Sequence, residues 1–248
     1  MKKIFIIIVI VFIICWLALE IYCRLPDNFD VRKIEIPRNT QTLVLLFHGS
    51  NDHQNPELKA IEENFKNYLN FTETTQIINY DWSYTSSYLK ASANTIKIGN
   101  AIGIEISNLK NAKNIHLISH SAGAFIAESF CKSYRANGGS AHIETTFLDP
   151  FNLRGFSDFN YGVRNFGNCA DFALSIINTD DSVPTTNTML KNSWNIDITN
   201  INKPANFIGK GHYFPPFYYL LLMKEDIIKI NDKNHNKYPR GEIMILND

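Results

Sequence analysis

The sequence lacks the basic surplus that is typical of a nucleic-acid-binding protein. Its 24 Lys and Arg residues are balanced by 24 Asp and Glu residues, so the formal net charge is zero and the pI is near 7. There is also no long basic run, although neutralising phosphates is the main source of affinity for nucleic acids. We therefore expect no nucleic acid among the partners of this chain.

Cysteine is scarce as well. Cys15 and Cys23 belong to an apolar N-terminal segment, which leaves Cys131 and Cys169 for the rest of the chain. No CxxC pair or Cys/His cluster has the spacing of a zinc site, so we expect no metal. Cys131 and Cys169 can pair in an oxidising compartment, but pairing depends on a distance that the sequence does not contain.

Charge is absent from residues 4–19, which follow two lysines. Twenty helical residues rise about 30 Å, the thickness of the bilayer hydrocarbon. Because no small-residue cleavage pattern precedes Arg24, we predict that residues 1–24 are an uncleaved membrane anchor. The alternative is a signal peptide whose removal gives a secreted protein. Since short charged N-termini usually stay in the cytoplasm, we expect the following domain on the periplasmic or extracellular side.

Strand and helix patterns alternate along the rest of the chain. Residues 25–40 mix charges with two prolines and are predicted to be a linker, followed by one domain over 41–248. The predicted strands are 41–47, 75–80, 114–119, 142–148 and 172–177; the predicted helices begin at Pro56 and cover 87–110, 122–134 and 216–229. This order predicts an α/β fold, with a mostly parallel central sheet and helices on both faces.

Ser121 is the candidate nucleophile. It lies in Ser119-His120-Ser121-Ala122-Gly123, between a predicted strand and a predicted helix. A nucleophile elbow has this context, and its sharp turn requires small residues two positions on either side of the serine. Ser119 stands where the usual pattern has glycine. An ordinary strand-to-helix turn is the alternative interpretation of these five residues alone.

A second motif follows the first predicted strand. In an elbow enzyme the loop at this point supplies one backbone N–H to an oxyanion hole, and the residue after the nucleophile supplies the other. We therefore predict Ser50 and Ala122 as the two donors. His48, which precedes Gly49 in the same loop, is interpreted as structural.

A histidine and an acid must follow the nucleophile in the chain. His212 lies in a loop before the last predicted helix and is the candidate base, whereas His235 lies among charged and polar residues and is interpreted as exposed surface. The acid must accept a hydrogen bond from the imidazole Nδ1–H. Asp149 and Asp181 each end a predicted strand, and on these grounds both remain candidates.

From about Leu43 to Pro150 the sequence resembles the pancreatic-lipase family. The matching segments include Asp81-Trp82-Ser83, Tyr88 and the helix that follows, NIHLISHSAGAFIAE and FLDPF. The resemblance implies the α/β-hydrolase fold, a Ser121-His212-Asp149 triad with Asp149 ahead of Asp181, and no cofactor. The second β-sandwich domain, the cysteine framework, the disulfide-closed lid and the calcium ligands of that family have no recognised counterpart.

We therefore expect a serine esterase or lipase that cleaves carboxylic esters, of lipid type, as its substrates and small-molecule partners. Phe151, Phe156 and Tyr213 are candidate substrate-binding residues. The aromatic-rich stretch 151–172 is predicted either to form an acyl-binding wall or small lid, or to fill the core. A thioesterase, amidase or acyltransferase on the same triad is the first alternative, and a non-catalytic membrane-associated binding protein is the second. The sequence does not indicate an oligomeric state.

Overall fold

A single parallel sheet organises the domain. The computed structural model describes residues 2–68, 73–86, 89–205, 207–224 and 233–248. Within these ranges all strand pairs are parallel, and the order across the sheet is β2-β1-β3-β4-β5-β6-β7. The strands are β1 (Thr42–Phe47), β2 (Thr75–Tyr80), β3 (Asn114–His120), β4 (His142–Leu148), β5 (Phe172–Ile177), β6 (Trp194–Asn200) and β7 (Ile243–Asn247).

Helices cover both faces of the sheet. In the described part of the chain the helices are α1 (Lys2–Arg24), α2 (Pro56–Tyr68), α3 (Ala91–Ser107), α4 (Ala124–Ala136), α5 (Tyr161–Asn165) and α6 (Phe214–Lys224). Helices α3 and α4 cover one face of the sheet, and α2 and α6 cover the other. In β1, Leu43 and Leu45 belong to the core beneath α3 and α4, whereas Val44 and Leu46 belong to the core beneath α2 and α6. An uninterrupted apolar strand is therefore buried on both faces, as parallel sheets require. The predicted α/β-hydrolase fold class is confirmed.

Two glycines bring α3 and α4 into close contact. A Cβ at Gly99 would collide with the backbone oxygen of Ile126, and one at Gly103 with that of Phe130. The two helices thus pack backbone against backbone, and α4 is fixed against the sheet beside β3. Because α4 starts at the Ser121 turn, this packing also positions the candidate nucleophile.

Several predicted boundaries differ from those observed. The helix predicted over 122–134 begins at Ala124, because Ser121–Gly123 form a 3-10 turn. The helix predicted from 216 begins at Phe214, since prolines in a first turn lose no helical hydrogen bond; its predicted end lies outside the described residues. The helix predicted from 87 covers Ala91–Ser107, and Ser87 is also outside the described residues. Strands β6 and β7 were not predicted.

The structure pairs Cys131 with Cys169 in a disulfide whose Cα atoms are 6.0 Å apart. The bond ties α4 to the segment before β5. The pairing that the sequence left open is thus made in the structure, and Cys15 and Cys23 are free thiols.

The N-terminal helix α1 is apolar and exposed. Its most apolar 18 residues have a mean hydropathy of 3.2, and none of them is buried in the protein. Its length and composition suit a membrane span, and a signal sequence has the same properties. The segment between α1 and β1 has no regular structure, although Ile34 in it is buried against the core.

Candidate active site

Ser121 occupies a strained turn at the carboxyl end of β3. Its φ is +51°, in the left-handed region that residues with a Cβ seldom adopt. The turn is tight because a Cβ at Gly123 would lie 2.6 Å from the backbone oxygen of Phe47 and 2.7 Å from that of His48. Ser119, which replaces the usual glycine, is fully buried without distorting β3. The sequence at 119–123 therefore folds as a strand–turn–helix elbow.

The loop after β1 lies directly against this elbow. A Cβ at Gly49 would come within 3.0 Å of Ser121 Cβ. Ser50 is held in place because its Oγ donates a hydrogen bond of 2.6 Å to the backbone oxygen of Ser86. The loop predicted to supply an oxyanion donor is thus next to the candidate nucleophile, while the donor roles of Ser50 and Ala122 stay predictions.

His212 is held by two carboxyl groups. Its Nδ1 lies 2.7 Å from Asp149 Oδ2 and 3.4 Å from Asp181 Oδ2. Asp149 is fully buried, and His212 has 8% of its surface exposed. With Nδ1 committed to the acids, Nε2 is the nitrogen that can act as a base. The shorter contact favours Asp149 as the residue that orients the imidazole.

The two carboxyl groups ionise differently. Burial raises the pKa of Asp149 well above its usual value, and the hydrogen bond and negative charge of Asp181 raise it further. Burial alone would also raise the pKa of Asp181, but hydrogen bonds from His212 and Asp149 and from the Val183 N–H lower it. Two adjacent buried carboxylates repel each other, so the pair ionises stepwise, and Asp181 loses its proton first.

Asn178 connects the acid to the loop of the base. Its N–H donates to Asp149 Oδ1 at 3.1 Å, and its Nδ2 donates to the backbone oxygen of Gly211 at 2.9 Å. Asn178 is fully buried, so these bonds are protected from water and orient both groups. This role could not be predicted from the sequence, because an asparagine after a strand is typical of any turn.

A second histidine–carboxyl pair lies beside the first. His120 Nδ1 is 3.0 Å from Asp52 Oδ2, and its Nε2 is 3.0 Å from the backbone oxygen of His212. Because a carbonyl only accepts hydrogen bonds, Nε2 of His120 carries a proton and donates it. The rings of His120 and His212 are 4.6 Å apart. His120 therefore holds the backbone of the candidate base, a role that the sequence analysis missed.

Backbone strain is concentrated around these groups. Among the described residues, the non-glycine positions with positive φ are Asn51, Ser121, Asp149 and Thr185. Asn51 belongs to the Ser50 loop, and Thr185 accepts a hydrogen bond from Asn152 three residues beyond Asp149. Strain that persists at several neighbouring positions is typical of functional sites.

The other histidines have structural partners. His48 Nδ1 donates to the backbone oxygen of Gly49 at 2.7 Å, and its Nε2 accepts from the Trp82 N–H at 3.0 Å. Burial lowers the pKa of His48, which agrees with its interpretation as a neutral structural residue. The interpretation of His235 as exposed surface was wrong: its ring packs on Phe172 and accepts a hydrogen bond from the Ala173 N–H. Polar neighbours in sequence do not determine which face of a loop contacts the sheet.

The aromatic stretch after Asp149 divides into two parts. Tyr161 and Phe166 pack on Phe125 and fill the core. Phe156 and Phe159 are 42% and 55% exposed. The proposed core-filling role therefore fits the end of the stretch and not its middle.

The other candidate substrate-binding residues lie beside the site. The Phe151 N–H donates to the backbone oxygen of Ser121 at 3.2 Å. The ring of Tyr213 is next to those of His120 and His212. Their contacts with a substrate stay predictions.

Asp149, Asp181 and His212 also form a compact group of potential metal ligands, with candidate ligand atoms within 4.8 Å of one another. The hydrogen bond between His212 and Asp149 explains the arrangement through acid–base pairing, so no metal role is needed for it.

Comparisons with known proteins add little beyond this geometry. No protein-family model and no curated protein matches the chain. Among solved structures, Aspergillus fumigatus lipase B is similar with 14% sequence identity and a TM-score of 0.37. The match covers 64% of this chain and 45% of the lipase, so the chain spans under half the length of that protein. This likeness carries no functional conclusion, so the residues of the site are the basis for a function.

Proposed function

We propose that this chain is a serine hydrolase that cleaves carboxylic esters through Ser121, His212 and Asp149. The observation that carries the proposal is the buried hydrogen bond of 2.7 Å between His212 Nδ1 and Asp149 Oδ2 at the sheet edge where Ser121 forms its strained turn. The nucleophile follows β3, the acid follows β4, and the base lies between β6 and the start of α6. This arrangement supports general-base activation of a serine.

In the proposed reaction, His212 Nε2 accepts the hydroxyl proton as Ser121 Oγ attacks the acyl carbonyl. The N–H groups of Ser50 and Ala122 bind the developing oxyanion. The imidazolium then gives its proton to the leaving alcohol, and an acyl-enzyme remains. Water, deprotonated by His212, attacks the acyl-enzyme, releases the carboxylic acid and restores Ser121.

Lipid-type esters are the proposed substrates. The support is the apolar α1 together with the exposed Phe156 and Phe159 in the segment that follows Asp149. A thioesterase, amidase or acyltransferase would use the same residues, and these reactions differ in the leaving group or acceptor. A non-catalytic binding protein would not need the base and acid to be oriented.

We also propose that α1 is an uncleaved anchor and that the domain is exported. The Cys131–Cys169 disulfide supports an oxidising compartment, because cytosolic thiols are usually kept reduced. The test is protease treatment of intact cells that express the full chain. Digestion of the domain is expected, and full protection until the membrane is permeabilised would contradict an exported domain.

The experiment that tests the reaction is labelling with a fluorophosphonate probe, which reacts with a serine that is activated by a base. The full chain in detergent is compared with Ser121→Ala and His212→Ala. Ser140→Ala serves as the matched control, because Ser140 is an exposed serine at the opposite edge of the sheet. We expect labelling of the wild type and of the control, and loss of labelling in both site variants.

A graded series of soluble esters and thioesters then defines the leaving group and acyl length. Folded wild-type protein that neither labels nor hydrolyses any of these compounds would contradict the enzyme proposal. Labelling that survives in Ser121→Ala would move the nucleophile to another serine.

A further inference from the structure

Among the described residues, the contacts between α1 and the domain are made by the carboxyl-terminal end of the helix. Residues 4–18 of α1 are exposed, whereas Cys23 is buried to 1% exposure and Glu20 is partly buried. The helix has 23 residues and is therefore about 34 Å long. If its apolar part spans a bilayer, the domain begins where the helix leaves the hydrocarbon.

This last turn is attached beside the segment that carries the exposed phenylalanines. The Phe156 N–H donates a hydrogen bond of 2.7 Å to Glu20 Oε2. A Cβ at Gly155 would lie 2.6 Å from Glu20 Oε1 and 3.0 Å from the side chain of Arg24, so the two segments are in van der Waals contact. The contact satisfies a partly buried carboxylate, which accepts from the Phe156 N–H and pairs with Arg24.

A second attachment lies at the start of α3. The Asp27 N–H donates to Asn94 Oδ1 at 2.8 Å, and the Asp27 carboxylate accepts from Lys90 Nζ at 2.9 Å. Lys90 Nζ also lies 4.3 Å from the centre of the Tyr22 ring. Because α3 follows β2, its first turn is at the carboxyl edge of the sheet. The anchor therefore meets the domain at the same edge as the candidate active site.

The distance from this junction to Ser121 is short. Phe151 donates its N–H to the backbone oxygen of Ser121, and Phe156 donates its own to Glu20. Phe156 lies five positions after Phe151, and five residues span at most about 18 Å. With the two hydrogen bonds of 3.2 Å and 2.7 Å added, the backbone of Ser121 is within about 24 Å of the Glu20 carboxylate.

Exposed apolar side chains surround the junction. We call Leu25, Leu89, Phe156 and Phe159 the junction rim; each is between 42% and 56% exposed. Arg24, Lys97 and Arg154 line a surface cleft of about 390 Å³ next to it. Apolar and aromatic side chains mixed with cations are typical of surfaces that lie at a membrane–water interface. Leu25 directly follows α1, and the Phe156 N–H is bonded to Glu20 in the helix, so the rim begins where α1 ends. A bilayer that holds α1 up to its last turn would therefore reach the rim.

We propose that the junction rim rests in the surface of the bilayer that α1 spans, and that the candidate active site receives its ester from that membrane. The docking part of this inference needs only a retained, inserted α1. The substrate part rests on the proposed function. It narrows the substrates to lipid esters that reside in the same bilayer.

The docking is tested with the full chain in lipid nanodiscs. A thiol-reactive fluorophore is attached to Phe156→Cys, Phe159→Cys or Ser140→Cys in a Cys15→Ala background, and the background protein alone corrects for labelling at Cys23. Phospholipids with a spin-labelled acyl chain quench fluorophores that enter the bilayer. We expect quenching at residues 156 and 159 to exceed that at residue 140 by about twofold or more. Equal quenching at the three positions would overturn the proposal, as would a mature membrane protein that begins after Arg24.

The substrate part is tested with Leu25→Ser/Leu89→Ser. Both leucines belong to the rim and neither is a candidate site residue. We expect the variant to hydrolyse an ester embedded in vesicles about fivefold more slowly, with an unchanged rate of fluorophosphonate labelling in detergent. Equal loss on a soluble ester would indicate a folding defect and overturn the assignment of these leucines. If no serine labels at all, the proposed function fails, and the quenching experiment still decides the docking.

Discussion

Two histidine–carboxyl pairs lie side by side at the carboxyl edge of the sheet, and the hydrogen bonds of their imidazoles differ. His212 has Nδ1 against Asp149, and among the described contacts no protein oxygen is bonded to its Nε2. His120 has Nδ1 against Asp52, but its Nε2 donates to the backbone oxygen of His212. The chemical groups are the same in the two pairs, and the partner of the second nitrogen differs.

This difference determines which imidazole can work as a base. A nitrogen that already carries a proton and donates it to a carbonyl has no lone pair for a serine hydroxyl. His120 is therefore restricted to holding the loop of His212. A position close to the nucleophile and a carboxyl partner are therefore not sufficient to identify a catalytic histidine.

The largest expected effect separates the two histidines. His212→Gln removes the only base in the proposed triad, so we expect the rate of ester hydrolysis to fall by about 10⁴-fold or more. His120→Gln keeps a side-chain amide that can still donate to the backbone oxygen of His212, and we expect a loss of about tenfold. The measurement is kcat/KM on a soluble ester for both variants. Comparable losses would show that the two pairs act as one unit.

The next effect separates the two acids. Asp149→Asn places an amide against Nδ1 and favours the wrong imidazole tautomer, so we expect a loss of about 10³-fold to 10⁴-fold in kcat. Asp181→Asn removes a negative charge beside Asp149, and Asp149 then ionises more readily. Because this compensates in part, we expect a loss of about tenfold to hundredfold. A larger loss in Asp181→Asn would make Asp181 the working acid.

The same acids carry a prediction about stability. The folded pKa of Asp149 is raised above its usual value of 3.8, so its contribution to stability is complete below pH 3.8 and is lost as the pH rises through the folded pKa. At neutral pH the Asp149 side chain therefore contributes less to stability than it does in acid. We expect Asp149→Asn to be at least as stable as the wild type at pH 7 in urea unfolding, although it is nearly inactive. A clear loss of stability at pH 7 would show that the hydrogen bonds from His212 and Asn178 outweigh the cost of burial.

Local sequence patterns were sufficient to predict single strands and the turn at the candidate nucleophile. Apolar runs indicate the strands β1 and β4, and the small residues around Ser121 indicate the elbow, because local contacts define both. The order of Ser121 and His212 along the chain follows from the order of the strands and helices. Strand β6 was missed because Asp197 and Thr199 interrupt its apolar pattern. Strand β7 is a mostly apolar run of five residues, which is too short for its pattern to distinguish a strand from a turn of helix.

The contacts between distant residues could not be predicted in this way. Asp149 and Asp181 follow β4 and β5, which are neighbours in the sheet, so the sequence places both acids at the same point. Only the distances from their carboxyl groups to His212 Nδ1 distinguish the two acids. Asp52 and His120 are 68 residues apart, and their pairing depends on how the Ser50 loop closes over the elbow. Such a contact has no periodicity or spacing that could indicate it.

A smaller effect is expected at Asp52. Asp52→Asn keeps the size of the side chain and removes its charge, so His120 keeps a weaker partner. We expect a loss of about 1–3 kcal/mol in the free energy of unfolding, since a buried histidine loses a charged acceptor, and a loss of activity no greater than about tenfold. The exposed Asp30→Asn in the linker is the control. A variant of Asp52 that is stable but inactive would contradict a purely supporting role for this pair.

The smallest effect on activity is expected at a third histidine. His116 is 2.9 Å from Thr146 Oγ1 in the middle of the sheet, away from both pairs, and faces Glu144 and Lys233. Burial, together with the positive charge of Lys233, lowers its pKa from 6.5 to about 4. Because its folded pKa is depressed, the stabilising effect of neutral His116 is complete above pH 6.5 and is lost as the pH falls towards 4.

This shift corresponds to at most about 3 kcal/mol, and less in practice because the ring is partly exposed. His116→Gln cannot be protonated in this range and keeps a hydrogen-bonding group near Thr146. We expect it to lower the pH of the acid unfolding midpoint and to change ester hydrolysis at neutral pH by less than about twofold. His142→Gln at an exposed position of the neighbouring strand is the control, with no change in midpoint. If His116→Gln reduced hydrolysis as strongly as His120→Gln, support of the active site would extend through the sheet and would not end at its carboxyl edge.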